Sequence, residues 1–493
     1  MNILFVYSKD IWSPKYPLQT PMEMQFGISY ISSFLKKHGH NTKLIILSKL
    51  LGKQNETRIN EYLRRFYPDV MCFTIVATEF KFIISIADYI KKKYPNIYLV
   101  AGGPHVSLNP EEVIKHSFDA LCVGEGEFPV SELVANIGQG KTHFSIFNMW
   151  IKHDSDVVKN PTRPFLQDID SLPFPDRKMW IEWIDPDNKD FQYPILLGRG
   201  CPHLCTYCSN HALRKIASDK YVRMRSVDNV MQEINEVIST FPKVREIYFE
   251  VETIGVNRKW AFELCYNLEK LNSHLKKPLS FGVNLRITQN ADYSELFAVF
   301  KKGNFRFINI GLESGSERIR REVLKRNYSN EDVIRTVQQA KKYGIEVSFF
   351  NLIGIPGETF NDFMETVELN RKCQPNRHMT SIFYPYPGTE LYSFCKTQDL
   401  ISESFFNEEV ERTKAVLNLP GFSKKEIQRC FTLFDYYVYK GHKPLYVLLI
   451  KLLISKMKSY YYFSYLLKSV ASISFLKRLK IIVQTYFLRN VPS

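Results

Sequence analysis

The sequence predicts two successive α/β domains followed by a helical C-terminal region. Short apolar runs alternate with segments of helical apolar spacing in the N-terminal part, and the same alternation returns after residue 190. The length of 493 residues also exceeds the roughly 250–300 residues over which a single hydrophobic core grows. The predicted divisions are a first domain over residues 1–140, a linker over 141–189, a second domain over 190–400 and a helical region over 401–493.

The first domain is predicted to be a Rossmann-like, doubly wound parallel sheet. Its strands are apolar throughout, as expected of parallel strands that are buried on both faces. The predicted strands are Asn2–Tyr7, Lys43–Leu47, Asp69–Ile75, Ile97–Ala101 and Ala120–Val123, and the predicted helices are Gln25–Lys37, Arg58–Phe66 and Phe80–Lys93.

Two glycine-rich turns follow the last two of these strands. They read Gly102-Gly103-Pro104-His105 and Gly124-Glu125-Gly126-Glu127. Ligands of doubly wound sheets lie beyond the carboxyl ends of the strands, and paired glycines let the backbone approach a large flat ligand closely. The turns are therefore candidate binding elements, although simple tight connections between strand and helix would use the same residues.

The second domain is predicted to be a parallel barrel or partial barrel with its site at the carboxyl ends of the strands. An extended connector over Gln167–Arg177, marked by Pro173 and Pro175, precedes it. The six predicted strands are Pro194–Leu197, Val244–Phe249, Ser280–Leu285, Phe305–Ile310, Glu346–Leu352 and Met379–Phe383.

Three cysteines directly after the first of these strands form the most informative motif of the chain. Cys201, Cys205 and Cys208 have the spacing Cys-x3-Cys-x2-Cys on a loop that Gly198 and Gly200 allow to curl tightly. A zinc site normally closes with a fourth Cys or His, whereas three thiolates on a cubane iron-sulfur cluster leave one iron open. The alternative is a zinc loop that is closed by His203 or by a distant cysteine.

This motif resembles the cluster motif of the radical S-adenosylmethionine (SAM) superfamily, and the two glycine-rich turns resemble the cobalamin-binding domain of its cobalamin-dependent members. Three later strand-end strings are also similar to that family, at Asn309–Ser316, Gly354–Thr359 and Tyr384–Thr389. The resemblance implies a six-stranded partial barrel, a 4Fe-4S cluster on the three cysteines, SAM on the open iron, and cobalamin.

The resemblance also assigns roles to individual residues. For SAM binding it implies Glu250, Glu252, Arg286, Glu313, Ser314, Gly354 and Pro356; for cobalamin it implies Gly102, Gly103, Pro104, His105, Gly124 and Glu125. Two departures are visible. Glutamates replace the family's usual pair of aspartates after the second barrel strand, and the Asp-x-His-x-x-Gly signature that lends a histidine to cobalt is absent. No catalytic residue acting on the substrate is identified.

The implied activity is formation of a 5'-deoxyadenosyl radical and methylation of an unactivated carbon in a small-molecule or lipid substrate. Two alternatives remain open. One is radical cyclisation, rearrangement or oxidation without methyl transfer, and the other is a corrinoid or metal-binding sensor without catalysis. A reducing partner such as flavodoxin or ferredoxin is expected.

Charge and cysteine usage constrain location and partners. The nine cysteines do not resemble a disulfide framework and the N-terminus lacks a secretory signal, so we expect a cytoplasmic protein. The net charge is +15, but residues 441–493 contain seven Lys, two Arg and no Asp or Glu. A nucleic-acid partner is not expected, because the excess charge is concentrated at one end of the chain.

The basic tail interleaves lysines with Leu, Ile, Tyr and Phe. No uncharged run approaches the ~20 residues that a bilayer span requires. Its composition predicts a helical segment that contacts an anionic membrane surface at the inner face of the membrane. A helical cap that packs on the barrel and exposes its lysines is the alternative.

Overall fold

The computed structural model describes residues 1–9, 15–186, 192–402 and 411–459. Its first sheet has seven strands in the order β2-β1-β3-β4-β5-β6-β7, of which β1 to β5 are parallel. The strands are β1 (Asn2–Ser8), β2 (Asn41–Leu47), β3 (Val70–Thr74), β4 (Tyr98–Gly102), β5 (Ala120–Cys122), β6 (Met149–His153) and β7 (Asp156–Lys159). The predicted Rossmann-like sheet is confirmed.

Six helices accompany this sheet. They are α1 (Phe26–Lys37), α2 (Gln54–Phe66), α3 (Phe80–Lys93), α4 (Pro104–Leu108), α5 (Pro110–Val113) and α6 (Glu127–Gly138). The strands they connect are apolar and almost fully buried, as the sequence predicted for a parallel sheet covered on both faces.

The hairpin β6–β7 lies within the predicted linker 141–189 and extends the first sheet in antiparallel fashion. Asp154 has a positive φ of 53° in the connecting turn. Sequence reasoning missed the hairpin because its outer strand is only partly buried and therefore has no apolar run to reveal it.

Two consecutive residues of the connector join the two domains. The Asp176 carboxylate accepts hydrogen bonds from Ser32 Oγ at 2.7 Å and Lys36 Nζ at 2.6 Å, both on α1. The next residue, Arg177, pairs with the fully buried Glu233 of the barrel domain at 2.5 Å. The connector, which the short helix α7 (Lys178–Ile181) follows, is thus fixed to both domains.

The second domain is a six-stranded parallel sheet in the order β15-β14-β13-β12-β11-β8, so the predicted partial barrel is confirmed. A small antiparallel pair, β9 and β10, lies beside it. The strands are β8 (Gln192–Leu196), β9 (Gly198–Arg199), β10 (Arg223–Met224), β11 (Glu246–Glu250), β12 (Ser280–Asn284), β13 (Phe305–Glu313), β14 (Glu346–Ile353) and β15 (Arg377–Ile382).

Helices follow the barrel strands and continue into the C-terminal region. They are α8 (Ser209–Leu213), α9 (Val227–Thr240), α10 (Arg258–His274), α11 (Ser294–Lys302), α12 (Asn330–Lys342), α13 (Phe360–Cys373), α14 (Glu390–Thr397), α15 (Lys424–Tyr439) and α16 (Leu445–Ser459). Ser423 and Glu426 form a capping box that starts α15, and α15 buries Ile427 and Phe434 against the last barrel strands.

Helix α16 buries Val447 and Leu448 but exposes Leu445, Tyr446 and Leu449 by 52–60%. None of the helices described in the structure has the length and hydropathy needed to cross a membrane. The rest of the predicted tail, from residue 460 onward, lies outside the described residues.

Candidate functional site: a cavity between the two domains

A cavity of ≈ 580 Å³ lies where the carboxyl ends of the first sheet face the barrel. Thr74, Gly102, Gly103 and Gly124 line it from the first domain, and the loop after β9 lines it from the second. Both glycine-rich turns therefore reach the same space as the segment that carries the cysteines. The topology produces this meeting, since parallel strands present all their carboxyl ends at one edge.

The glycines of the first-domain wall are required by backbone geometry. Gly103 has φ 102° and ψ 178°, a conformation that is essentially confined to glycine. A Cβ placed on it would lie 3.0 Å from Ile75 N, Ile75 O and Thr74 Oγ1. Gly124 has φ 94°, and a Cβ there would lie 3.1 Å from Asn148 Nδ2. This wall is consequently a smooth backbone cradle, which fits a large flat ligand such as cobalamin.

His105 does not line this cavity. The residue is only 4% exposed, and its ring packs against Phe80 with ring centroids 4.6 Å apart. Burial lowers the pKa of His105 to about 4, so the imidazole is neutral at physiological pH. Its assignment to cobalamin binding stays a prediction, and the geometry gives it a packing role behind the cavity wall.

Ser107 lines the cavity although sequence reasoning did not single it out. Its Oγ accepts a hydrogen bond from Gly124 N at 2.9 Å and so connects the two glycine-rich turns. The available signal was its position in the helix that Pro104 begins, one turn beyond the first glycines.

The cysteine loop is held close to the neighbouring strand by glycines. A Cβ on Gly198 would lie 2.5 Å from Arg223 O, and a Cβ on Gly200 would lie 2.2 Å from Tyr221 O. Only glycine at these two positions lets the loop lie this close to β10 and the residues before it. The predicted tight curl of the chain before Cys201 thus has a steric cause.

The donor chemistry of the loop fits an iron-sulfur cluster. Cys205 is buried and Cys201 and Cys208 are partly exposed, and none of the three is in a disulfide. Arg286 Nη1 lies 2.7 Å from Cys205 Sγ. Among the described residues no three His, Cys, Asp or Glu side chains already form a metal-binding group. Burial, with Glu252 and the other two thiols, raises the pKa of Cys208 to about 11, and a bound metal would favour the thiolate instead.

The predicted acidic residues lie at the end of β11, near this loop. Glu252 lines the cavity and accepts a hydrogen bond from Asn210 Nδ2 at 2.7 Å, and Asn210 in turn accepts one from Tyr221 OH at 2.7 Å. Burial and the charge of Glu252 raise the pKa of Glu250 to about 7. Tyr221 was missed, because nothing in its local sequence indicates its position.

Glu313 is tied to the cysteine loop. Tyr207, which lies between Cys205 and Cys208, donates to Glu313 Oε1 at 2.9 Å, and Arg326 Nη2 donates to the same oxygen at 3.0 Å. Glu313 also has a positive φ of 63°, an uncommon conformation for a residue other than glycine. The neighbouring Ser314 is fully buried, and its Oγ accepts from Ser316 N at 3.2 Å, so its hydroxyl is used within the protein.

The turn after β14 is stabilised from inside. The Glu358 carboxylate accepts hydrogen bonds from Gly354 N at 2.5 Å and Ile355 N at 3.1 Å, and burial raises the pKa of Glu358 to about 8. A Cβ on Gly354 would lie 3.1 Å from Ile427 of α15. Gly354 therefore allows α15 to pack closely, and a SAM-binding role for Gly354 and Pro356 stays a prediction.

Two family models match the chain. The radical SAM superfamily model matches residues 195–369, and the B12 binding domain model matches residues 23–134. The first match runs from the end of β8 through β14 and includes the cysteine loop, and the second includes β2 to β5 of the first sheet.

Similar proteins include one named as a methyltransferase and one named as a cyclase. An uncharacterised methyltransferase of Pyrococcus horikoshii is 26% identical over 378 residues, which are 76% of this chain and 79% of that protein. The anaerobic magnesium-protoporphyrin IX monomethyl ester cyclase of Rubrivivax gelatinosus is 25% identical over 379 residues, 74% of this chain and 65% of that protein.

The fold is shared with a solved enzyme. The radical SAM methyltransferase TsrM from Kitasatospora setae, solved with cobalamin and a 4Fe-4S cluster, has a TM-score of 0.63 and 15% identity, covering 80% of this chain and 75% of that chain. The two family models place a B12-binding domain before a radical SAM domain in this chain. The chain belongs to the radical SAM enzymes that carry a B12-binding domain, with a 4Fe-4S cluster, SAM and cobalamin as the cofactors of the family.

Proposed function

We propose that this chain is a cobalamin-dependent radical SAM methyltransferase that methylates an unactivated carbon of a small-molecule substrate. The observation that carries the proposal is the shared cavity, which the glycine cradle lines from the first domain and which Gly200 and Ser209, on either side of the cysteine motif, line from the second. A substrate held between the two walls would be within reach of both cofactors.

When bound, the cofactors supply a hydrogen-abstracting radical from SAM and a transferable methyl group from cobalamin, and the protein supplies placement. Cys201, Cys205 and Cys208 would hold the cluster. Arg286 and Glu252, which lie at the cluster loop, would bind the carboxylate and amino groups of SAM by charge-assisted hydrogen bonds.

The first-domain wall would bind cobalamin through its backbone. Gly103 and Gly124 leave room for a flat macrocycle, and Ser107 holds the two turns in register. Apolar side chains of the cavity, including Phe26, Ile31 and Leu196, would keep water away from the reacting carbon.

A labelled methyl donor tests methyl transfer against the alternative of cyclisation or rearrangement, which the name of the Rubrivivax relative supports. Anaerobically reconstituted protein is incubated with SAM that carries a deuterated methyl group and with extracts of metabolites. Transfer of the label into a product is the expected result. A product that forms without the label would favour cyclisation, rearrangement or oxidation.

The sensor alternative makes a different prediction. A sensor without catalysis should release no 5'-deoxyadenosine when the cluster is reduced, whereas the proposed enzyme should release it even in slow uncoupled turnover. Reduction by flavodoxin or ferredoxin in place of a chemical reductant tests the proposed electron donor in the same assay.

A lipid substrate and peripheral membrane contact through residues 441–493 are further parts of the proposal. The exposed apolar face of α16 and the absence of acidic residues from the tail sequence support them. Flotation with anionic liposomes of the full chain and of a chain ending at residue 440 tests the contact. Equal flotation of the two would instead favour the alternative, in which the tail is a cap on the barrel.

A further inference from the structure

Four charged side chains connect the two walls of the cavity. Glu125 and Glu127 belong to the second glycine-rich turn, and Arg199 and Arg223 belong to β9 and β10. Arg199 Nη1 lies 2.9 Å from Glu125 Oε1, Arg199 Nη2 lies 2.5 Å from Glu127 Oε1, and Arg223 Nη1 lies 3.0 Å from both oxygens of Glu125. We call these four residues the interdomain clasp.

The interdomain clasp is buried and balanced in charge. Its side chains are at most 22% exposed, and the two carboxylates neutralise the two guanidinium groups. Burial alone would raise the pKa of Glu125, but Arg199, Arg223 and the backbone N–H of Leu166 hold it below its ordinary value. Glu125 therefore keeps its charge throughout the physiological pH range, and its ion pairs act as a fixed connection.

Its position links two sites that are distant in sequence. Arg199 precedes Cys201 by two residues, with Gly200 between them, and Glu125 directly follows Gly124 of the cradle. All four members of the interdomain clasp line the cavity. The Glu125 carboxylate thus belongs to the turn that forms the cradle, and it contacts Arg199 in the segment that leads into the cluster loop.

We propose that Glu125 is a positioning residue that couples cobalamin binding in the cavity to the ordering of the cluster loop. The proposal rests on the proposed function, since it assumes that both cofactors bind where the two walls meet. A cluster-loaded loop holds Arg199 in place, Arg199 holds Glu125, and Glu125 fixes the cradle in its binding conformation. Because such coupling is reciprocal, bound cobalamin must favour the ordered loop to the same extent.

Hydroxocobalamin titration of the full chain tests the coupling without any measurement of turnover. The dissociation constant is measured by visible absorbance for the protein with its reconstituted cluster and for the protein after the cluster is removed by a chelator. In the wild-type chain the cluster is expected to tighten binding by at least about fivefold, the lower end of ordinary coupling energies. In Glu125→Gln the two constants are expected to agree within about twofold.

Two further variants keep the outcome interpretable. Arg199→Lys retains the charge but loses the fork that reaches both glutamates, so it should also abolish the difference even if Glu125→Gln folds poorly. Glu132→Gln removes a more exposed ion pair with Arg163 on the same domain and should retain the difference.

The possible outcomes distinguish a failure of the proposed coupling from a failure of the proposed function. Equal affinity with and without the cluster in the wild-type chain overturns the coupling but leaves the proposed function intact. Coupling that persists in Glu125→Gln and Arg199→Lys overturns the role of the interdomain clasp. If the wild-type chain binds no cobalamin in either form, the proposed function and the inference are both wrong.

Discussion

The two domains that meet at the cavity present different chemistry to a ligand. On the first-domain wall, recognition depends on backbone: glycines in conformations that other residues avoid, connected by one serine hydroxyl. In the barrel domain, candidate recognition depends on side chains: three thiols, two glutamates and an arginine around one loop, of which Glu252 lines the cavity. A backbone wall selects shape, whereas a side-chain wall selects charge and bonding chemistry. Substitutions in the two walls should therefore fail in different ways.

The largest effect is expected in the barrel domain, for Cys205→Ala. Two remaining thiols cannot hold a cubane cluster that leaves a single iron open, so iron content after anaerobic reconstitution should fall close to background and 5'-deoxyadenosine release should disappear. Iron analysis and chromatography measure the two quantities. Cys373→Ala, at a buried cysteine of α13, should keep its iron. Full iron content in Cys205→Ala would contradict the cluster assignment.

The next effect is expected on the backbone wall, for Gly103→Ala. The backbone conformation alone should cost about 1–3 kcal/mol, and the contacts at 3.0 Å should displace the cradle and weaken hydroxocobalamin binding by at least about tenfold. Gly39→Ala is the matched control, because Gly39 also has a positive φ but has nothing near its added Cβ. It should lose stability and keep its affinity. Similar affinities in the two variants would show that the turn does not contact the ligand.

Glu250→Gln tests the electrostatics of the barrel domain through the pH dependence of stability. The pKa of Glu250 is raised to about 7 from the ordinary 4.5, so folding favours its protonated form. The protonated Glu250 side chain therefore contributes fully to stability below about pH 4.5, and this contribution is lost as the pH rises through about 7. The loss should lower the free energy of unfolding of the cluster-free protein by on the order of 1–3 kcal/mol.

Thermal unfolding at pH 5 and pH 8 measures this effect. The wild-type chain should lose more stability between the two values than Glu250→Gln does. Glu269→Gln, on an exposed position of α10, should behave as the wild type. An unchanged pH dependence in Glu250→Gln would show that Glu250 is solvated or paired.

The smallest effect is expected for Ser107→Ala. The substitution removes one hydrogen bond, to Gly124 N, and such a bond contributes about 1 kcal/mol. Hydroxocobalamin binding should weaken by about fivefold, with little change in iron content. A loss of iron together with affinity would indicate that the two walls are connected more broadly than through the interdomain clasp.

The sequence alone determined the parallel strands of both sheets, the cysteine loop and the two glycine-rich turns. Each of these is encoded by a short segment of the sequence: an apolar run, a fixed spacing of thiols, or a pair of glycines. The hairpin β6–β7 was missed because it lacks such a local signal: a partly buried edge strand has no continuous apolar run.

Only the tertiary structure decided which partners these elements meet. It joined Glu125 to Arg199 and Arg223, which lie 74 and 98 residues further along the chain, turned His105 away from the cavity, and packed Gly354 against α15. The physical reason is the distance along the chain over which each kind of interaction acts. Backbone propensity and apolar periodicity act over a few residues, whereas ion pairs and close packing between domains depend on how two separately folded sheets come together.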